Sequence, residues 1–160
     1  VPVYPESIAN LIRSPKFSGE IEAEKLKRIR LEINKLGVDA LVLSDSHAVA
    51  WTFNIRGADV SHTPLPLSYA LVPKEGRPLV FIDHRKLSNS ARDHLEQSAD
   101  VEEPAALTAK LSELAKRGAS IALDGATAAD APWSGWICAM TCFTPSSASS
   151  ASRRAAAAEA

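Results

Sequence analysis

A helix that stops at a glycine and runs at once into an apolar strand constrains this fold more than anything else in the chain. Leu26, Ile29, Ile33 and Leu36 recur at 3.6-residue spacing and predict one helix opening at Ser18 or Gly19. Glu20, Glu22 and Glu24 crowd its positive end, while Lys25, Lys27, Arg28 and Arg30 lie further along. Gly37 is placed to close it, because a glycine accepts the left-handed conformation that ends many helices. Val38-Asp39-Ala40-Leu41-Val42-Leu43 follows with no linker, an almost unbroken apolar run typical of a strand covered on both faces. A helix feeding a doubly covered strand points to a layered α/β fold.

The remaining pattern agrees. Ser44-Asp45-Ser46 offers turn and cap chemistry, and His47 to Phe53 has room for one or two helical turns. Asn54 to Pro66 reads as a loop. Leu67 to Val72 and Leu79 to Ile82 are predicted strands, antiparallel across the Pro73 to Pro78 turn. A helix is expected over Lys86 to Ala99, with Leu87, Ala91, His94 and Leu95 on one side. Pro104 can open another, lined by Leu107, Leu111 and Leu114 and stopped at Gly118. Ser120 to Asp124 completes a fourth strand. The prediction is an α/β fold: a mixed β-sheet with helices on both faces. Its boundaries are expected at a proline-bearing lead-in over 1–17, a domain over 18–132, and a poorly ordered tail over 133–160, where twelve of the last fifteen residues are Ser or Ala.

Composition removes several functions. With 160 residues, 46% hydrophobic and 23% charged, the chain can bury a core of its own. A net charge of −1 argues against a nucleic-acid partner, and no apolar run is long enough for a membrane partner. Two cysteines make no disulfide framework, which fits a cytoplasmic location. His47, His62, His84 and His94 form no H-E-x-x-H pair, and Cys138 and Cys142 have no second pair to complete a zinc site. Ser44, Ser46 and Ser61 lack a nucleophile-elbow setting. No catalytic residue, metal site or cofactor is therefore expected in this chain. Asp83 and Asp124 end strands and Asp45 follows one, so their carboxylates would converge if the strands are parallel; an Asp so placed equally caps the next helix or turn.

The densest chemistry lies between Trp51 and Pro66. Trp51, Asn54, Arg56, Asp59 and His62 are the candidate contact residues. Gly57 permits a tight turn, Arg56 and Asp59 are close enough to pair across it, and Trp51 is expected to be buried as the loop's anchor. Two readings stand: a self-stapled loop without a ligand, or a loop presenting Arg56 and His62 to another domain or a substrate.

Leu41 to Leu43 with Ser44-Asp45, Ala50-Trp51, Asn54-Ile55-Arg56-Gly57, Asp59 and Thr63 to Ala70 resemble the Xaa-Pro aminopeptidase (aminopeptidase P) family. More narrowly they resemble the second creatinase-like N-terminal domain of its three-domain form. The W-x-x-N-x-R-G-x-D core carries most of the specificity; Phe81-Ile82-Asp83, Lys86-Leu87, Ser18-Gly19 and Lys25-Leu26 extend it. Thr52 and Ala58 depart from it where Leu and Ser are usual. The resemblance implies a creatinase N-terminal-like fold and a parent hydrolase that removes an N-terminal residue preceding proline. That chemistry uses two divalent metals, usually manganese, on Asp, Asp, His, Glu and Glu ligands. No such motifs occur here, so the resemblance implies a non-catalytic domain that shapes the substrate cleft or domain contacts. Its partners would be a missing catalytic domain, the parent's peptide substrate and a possible homodimer. The Ser/Ala run does not match the family, a mismatch that a truncated, misassembled or frame-shifted reading frame would explain. The alternative is a free-standing ligand-binding or protein-interaction module.

Overall fold

The computed structural model describes residues 11–12, 15–124 and 140–143. A six-stranded sheet dominates, made of β2 (Ala40–Leu43), β4 (Tyr69–Pro73), β5 (Leu79–Phe81), β6 (Asp100–Glu102), β7 (Ile121–Asp124) and β8 (Met140–Phe143). Its order is β6-β5-β4-β2-β7-β8. Only β4 runs against the others: it pairs antiparallel with β2 and β5, whereas β2–β7, β5–β6 and β7–β8 are parallel. A two-stranded ribbon joins β1 (Leu11–Ile12) to β3 (Ile55–Arg56).

Alternation along the strands divides the core. Ala70, Val72, Val80 and Ala122 face one side, where they meet Leu26 and Ile33 of α2 (Glu22–Leu36), Val49 of α3 (Ser46–Thr52) and Leu95 of α4 (Asn89–Ser98). Ala40, Val42, Leu71, Phe81, Ile121 and Leu123 face the other, under Leu107 and Leu111 of α5 (Ala106–Lys116). The mixed sheet with helices on both faces is therefore as expected. Burying each such Leu, Ile, Val or Phe contributes roughly 1.5–3 kcal/mol.

Several boundaries differ. A separate turn of helix, α1 (Pro15–Ser18), precedes α2, which starts at Glu22 rather than Ser18 or Gly19. Leu36 ends up exposed, while Ile33, one turn earlier, is fully buried. Gly37 closes α2 as expected, at φ 68°, with its N–H returned to the Ile33 and Asn34 carbonyls. β4 begins at Tyr69, and Leu67 is exposed. The helix expected over Lys86 to Ala99 splits into a 3₁₀ turn, His84–Lys86, and α4, because Ser88 caps Ala91 and restarts the helix. Pro104 lies in a turn before α5 instead of opening it. The lead-in contributes β1 and α1, and Met140–Phe143, inside the expected tail, is a strand of the sheet. The Ser/Ala run from Ser146 onward lies outside the described residues.

Candidate functional site

The W-x-x-N-x-R-G segment leaves α3 and turns back along it. A helix end exposes carbonyls that need donors. Here three cationic or ring donors meet three of them. Arg56 Nη1 reaches Ala50 O at 3.0 Å, Lys25 Nζ reaches Trp51 O at 2.7 Å, and His94 Nε2 lies 3.2 Å from Phe53 O. Positive groups at this end also suit the helix dipole.

Asn54 links this end to α2. It is buried and sits at φ 52°, a left-handed value that Asn tolerates through its short polar side chain. Its Oδ1 accepts from Lys25 Nζ at 2.6 Å, and its Nδ2 donates to Glu22 Oε1 at 2.6 Å and Glu20 O at 3.1 Å. Glu22 also lies 3.2 Å from His94 Nε2. Burial pushes the Lys25 ammonium below the ordinary lysine range, against the pull of Glu22 and Glu20.

Trp51 corrects an expectation. Its ring is 43% exposed instead of buried, lying over Lys25 Nζ at 4.5 Å and beside Arg28 at 5.4 Å. The indole is thus held by cation–π contacts to α2, and Phe53, fully buried, is the aromatic anchor.

The expected Arg56–Asp59 pair is replaced. Arg56 donates to the Ala50 and Ile55 carbonyls, while Asp59 Oδ2 pairs with Lys86 Nζ at 2.8 Å and accepts from Leu67 N at 2.7 Å. The loop doubles back on itself, with Gly57 N to Pro64 O at 3.4 Å and Asp59 N to Leu65 O at 3.2 Å. A Thr63 N to Val60 O bond of 3.2 Å closes its tip, and exposed His62 occupies that turn at φ 62°. Gly57 serves by its small size: a Cβ there would lie 2.8 Å from Pro66 Cα and N.

This loop walls a cavity of about 580 Å³ at the carboxyl ends of β2 and β5. Asp45 and Asp83 both line it, so two of the three strand-end carboxylates do converge; the third, Asp124, has no described side chain. They also cap. Asp45 Oδ1 accepts from His47 N at 3.0 Å and Asp83 Oδ1 from Arg85 N at 2.9 Å. Burial alone would raise the Asp45 carboxyl, but the His47 backbone and ring bonds outweigh it and hold it below the ordinary range. Side-chain bonds from Arg85, then its backbone N–H, lower Asp83 to about 2. An NMR titration should therefore find the Asp83 midpoint near 2, with Arg85→Ala moving it up toward 3.8. The folded value lies below the unfolded one, so the stabilisation is present above pH 3.8 and lost as pH falls through 2. A wild-type midpoint at 3.8 would reject the pairing.

Trp51, Asn54 and Arg56 thus gather around one helix end, whereas Asp59 and His62 belong to the loop beyond it. Sequence reasoning missed Lys25, Glu22 and His94 as members of the first group. Their signal was positional: Glu22, Lys25 and Lys25's neighbour Leu26 fall on the stripe that continues to Ile29 and Ile33. Among the described residues no three of His, Cys, Asp or Glu gather as a metal-ligand group, so these residues do not fit a two-metal hydrolytic centre. No described helix is long and apolar enough to cross a membrane.

The chain is 32% identical over 124 residues to Xaa-Pro aminopeptidase 1 of Dictyostelium discoideum, covering 78% of this chain and 20% of that protein. It is 40% identical over 83 residues to a probable Xaa-Pro aminopeptidase P of Chaetomium globosum, covering 52% and 13%. Its fold superposes on an X-prolyl aminopeptidase from Caenorhabditis elegans, described as a cytosolic enzyme with a di-nuclear active site. The TM-score is 0.68 at 25% identity, covering 74% of this chain and 20% of that one. The chain thus spans a fifth or less of the length of these relatives. A family model described as the creatinase/prolidase N-terminal domain matches residues 2–146. A match over nearly the whole chain, on the sheet and the stapled helix end just described, makes this chain a member of the creatinase/prolidase N-terminal domain family, of the kind found in Xaa-Pro aminopeptidases.

Proposed function

We propose that this chain is a non-catalytic domain of a metal-dependent Xaa-Pro aminopeptidase, and that it docks against a catalytic domain and helps shape its substrate cleft. The observation that carries this reading is the Trp51 ring, exposed yet held over Lys25 and Arg28, with Leu31 of α2 also 53% exposed beside it. A rigid, half-exposed aromatic with an apolar neighbour is the composition of a contact hot spot. Asn54 and Arg56 act in this reading by fixing the platform, Asp59 by holding the loop beyond it, and Trp51 and His62 by touching the partner. The two divalent metals, usually manganese, belong to the catalytic domain, as do the peptide substrate and any homodimer contact. A cytosolic location accords with the nematode relative.

The purified chain with added Mn²⁺ is expected to release no N-terminal residue from a Xaa-Pro peptide. Metal-dependent release by this chain alone would overturn the proposal. The alternative, a ligand-binding module in its own right, draws its support from the cavity at the strand ends.

A further inference from the structure

The cavity beside the 57–68 loop has the size and lining of a small-molecule site. Its volume, about 580 Å³, falls within the ordinary range for ligand pockets. It opens where β2 and β5 end, the place in an open α/β sheet where loops diverge and ligands commonly bind.

The lining sorts into two parts. Val60, Leu65, Leu67, Tyr69 and Pro104 form an apolar collar, and three of them, Val60 at 38%, Leu67 at 52% and Tyr69 at 37% exposure, are large hydrophobic groups left open to water. Asp45 and Asp83 supply two carboxylates, held ionised by the hydrogen bonds already described. Lys86 is the cation in the lining, and Asp59 pairs with it at 2.8 Å. Arg85 already holds both oxygens of Asp83, with Nε 3.0 Å from Oδ1 and Nη2 2.7 Å from Oδ2, so an anion entering here would meet the Asp45 carboxylate and an uncharged apolar guest would leave it unused. His47 N and Nδ1 both lie 3.0 Å from Asp45 Oδ1, and the Ala48 N–H also donates to this carboxylate.

The walls are also fixed before any ligand arrives. Asp59 holds Leu67 N, Ser46 Oγ and Ser68 exchange hydrogen bonds of 3.3 Å between their Oγ, N and O atoms, and Gly57 packs on the Pro66 backbone. Little ordering remains to oppose binding.

We propose that this cavity binds a primary ammonium group carried on an apolar body, either a small organic amine or the amino terminus of a short peptide. The ammonium meets the Asp45 carboxylate and the apolar body lies against Leu67, Val60 and Tyr69. This site would work in the isolated chain, so it stands or falls apart from the docking role.

The test is an amide-shift titration of the labelled chain with leucinamide, N-acetyl-leucinamide, isoamylamine and trileucine amide. Leucinamide should give saturable shifts at Ser46 to Ala48 and Val60 to Ser68. The acetylated compound, identical in body but without the charge, should bind at least roughly tenfold more weakly, a difference of about 1.4 kcal/mol. Asp45→Asn should weaken leucinamide by a similar factor while keeping the helix cap, since Asn caps as well as Asp. Leu67→Ala, at an exposed position, should weaken it about threefold. Tighter binding of trileucine amide than of isoamylamine supports the peptide source, and the reverse supports the free amine. Equal affinity for the acetylated compound, an unchanged affinity in folded Asp45→Asn, or no saturable shift in this cavity overturns the proposal.

Discussion

Asn54→Ala is expected to destabilise the chain by about 4 kcal/mol, the largest effect of any substitution in the W-x-x-N-x-R-G segment. Three hydrogen bonds disappear with the carboxamide, those to Lys25, Glu22 and the Glu20 carbonyl. Lys25, 1% exposed, loses one of its hydrogen-bond partners and keeps only the Trp51 carbonyl. Leaving a buried polar group unsatisfied costs roughly 1–3 kcal/mol, and more when the group is charged. Alanine must also adopt φ 52°, for which L residues lose roughly 1–2 kcal/mol. Asn54→Gly separates the two causes. It removes the same hydrogen bonds but accepts the dihedral, so it should be less damaging than Ala by about 1 kcal/mol. Urea melts of the three proteins measure both differences. A loss below about 1 kcal/mol for Asn54→Ala would show that water or a repacked Lys25 replaces the carboxamide. Trp51→Ala provides the contrast: its ring is 43% exposed, so its cost should be far smaller than for a buried aromatic.

Gly57→Ala should cost about 3 kcal/mol, for a different reason. The added methyl would lie 2.8 Å from Pro66 Cα and N and 2.9 Å from Pro66 Cβ. Those atoms belong to the backbone and a ring, so no rotamer change relieves the overlap and the loop itself must move. Overpacking of this kind costs roughly 1–3 kcal/mol and occasionally more. Here the movement also strains the Gly57–Pro64 and Asp59–Leu65 hydrogen bonds that hold the loop closed. At roughly 2–4 °C per kcal/mol for a chain of this size, the melting temperature should fall by about 6–12 °C. A change of less than about 2 °C would mean that the loop shifts freely and that the rigid cavity wall is not real.

The elements that could be read from sequence are those whose signal is local. The α2 stripe, its stop at Gly37, the apolar β2 run and the β4–β5 hairpin each declare themselves within a dozen residues. β6 does not. Asp100-Val101-Glu102 is short and polar, and it is a strand because β5 offers it a parallel edge, Leu79 to Asp100 through Phe81 to Glu102. β8 gave no periodic signal either; it pairs with β7 from Met140 to Phe143. In the candidate site the motif residues were identifiable, but their partners were not. Arg56 and Asp59 are three positions apart and invite pairing. The fold turns Arg56 toward the α3 carbonyls and gives Asp59 to Lys86, which is distant in sequence and near in space.

Periodicity, glycine placement and turn chemistry thus settled the fold class and the order of the main elements. These properties follow from how each short segment partitions between water and a core, and from which dihedrals its residues tolerate. Which way Trp51 faces, what satisfies Asn54, and the meeting of Asp45 with Asp83 at one cavity depended on packing. Lys25 shows why. On a helix surface a lysine is solvated by default, and its pattern in sequence looks the same whether its face is covered or bare. Docking α2 against the end of α3 removed the water and supplied Trp51 O and Asn54 Oδ1 in its place, 2.7 and 2.6 Å from the ammonium. Those acceptors lie more than twenty-five residues away along the chain, a separation that no local pattern encodes and that the assembled core brings to hydrogen-bonding distance.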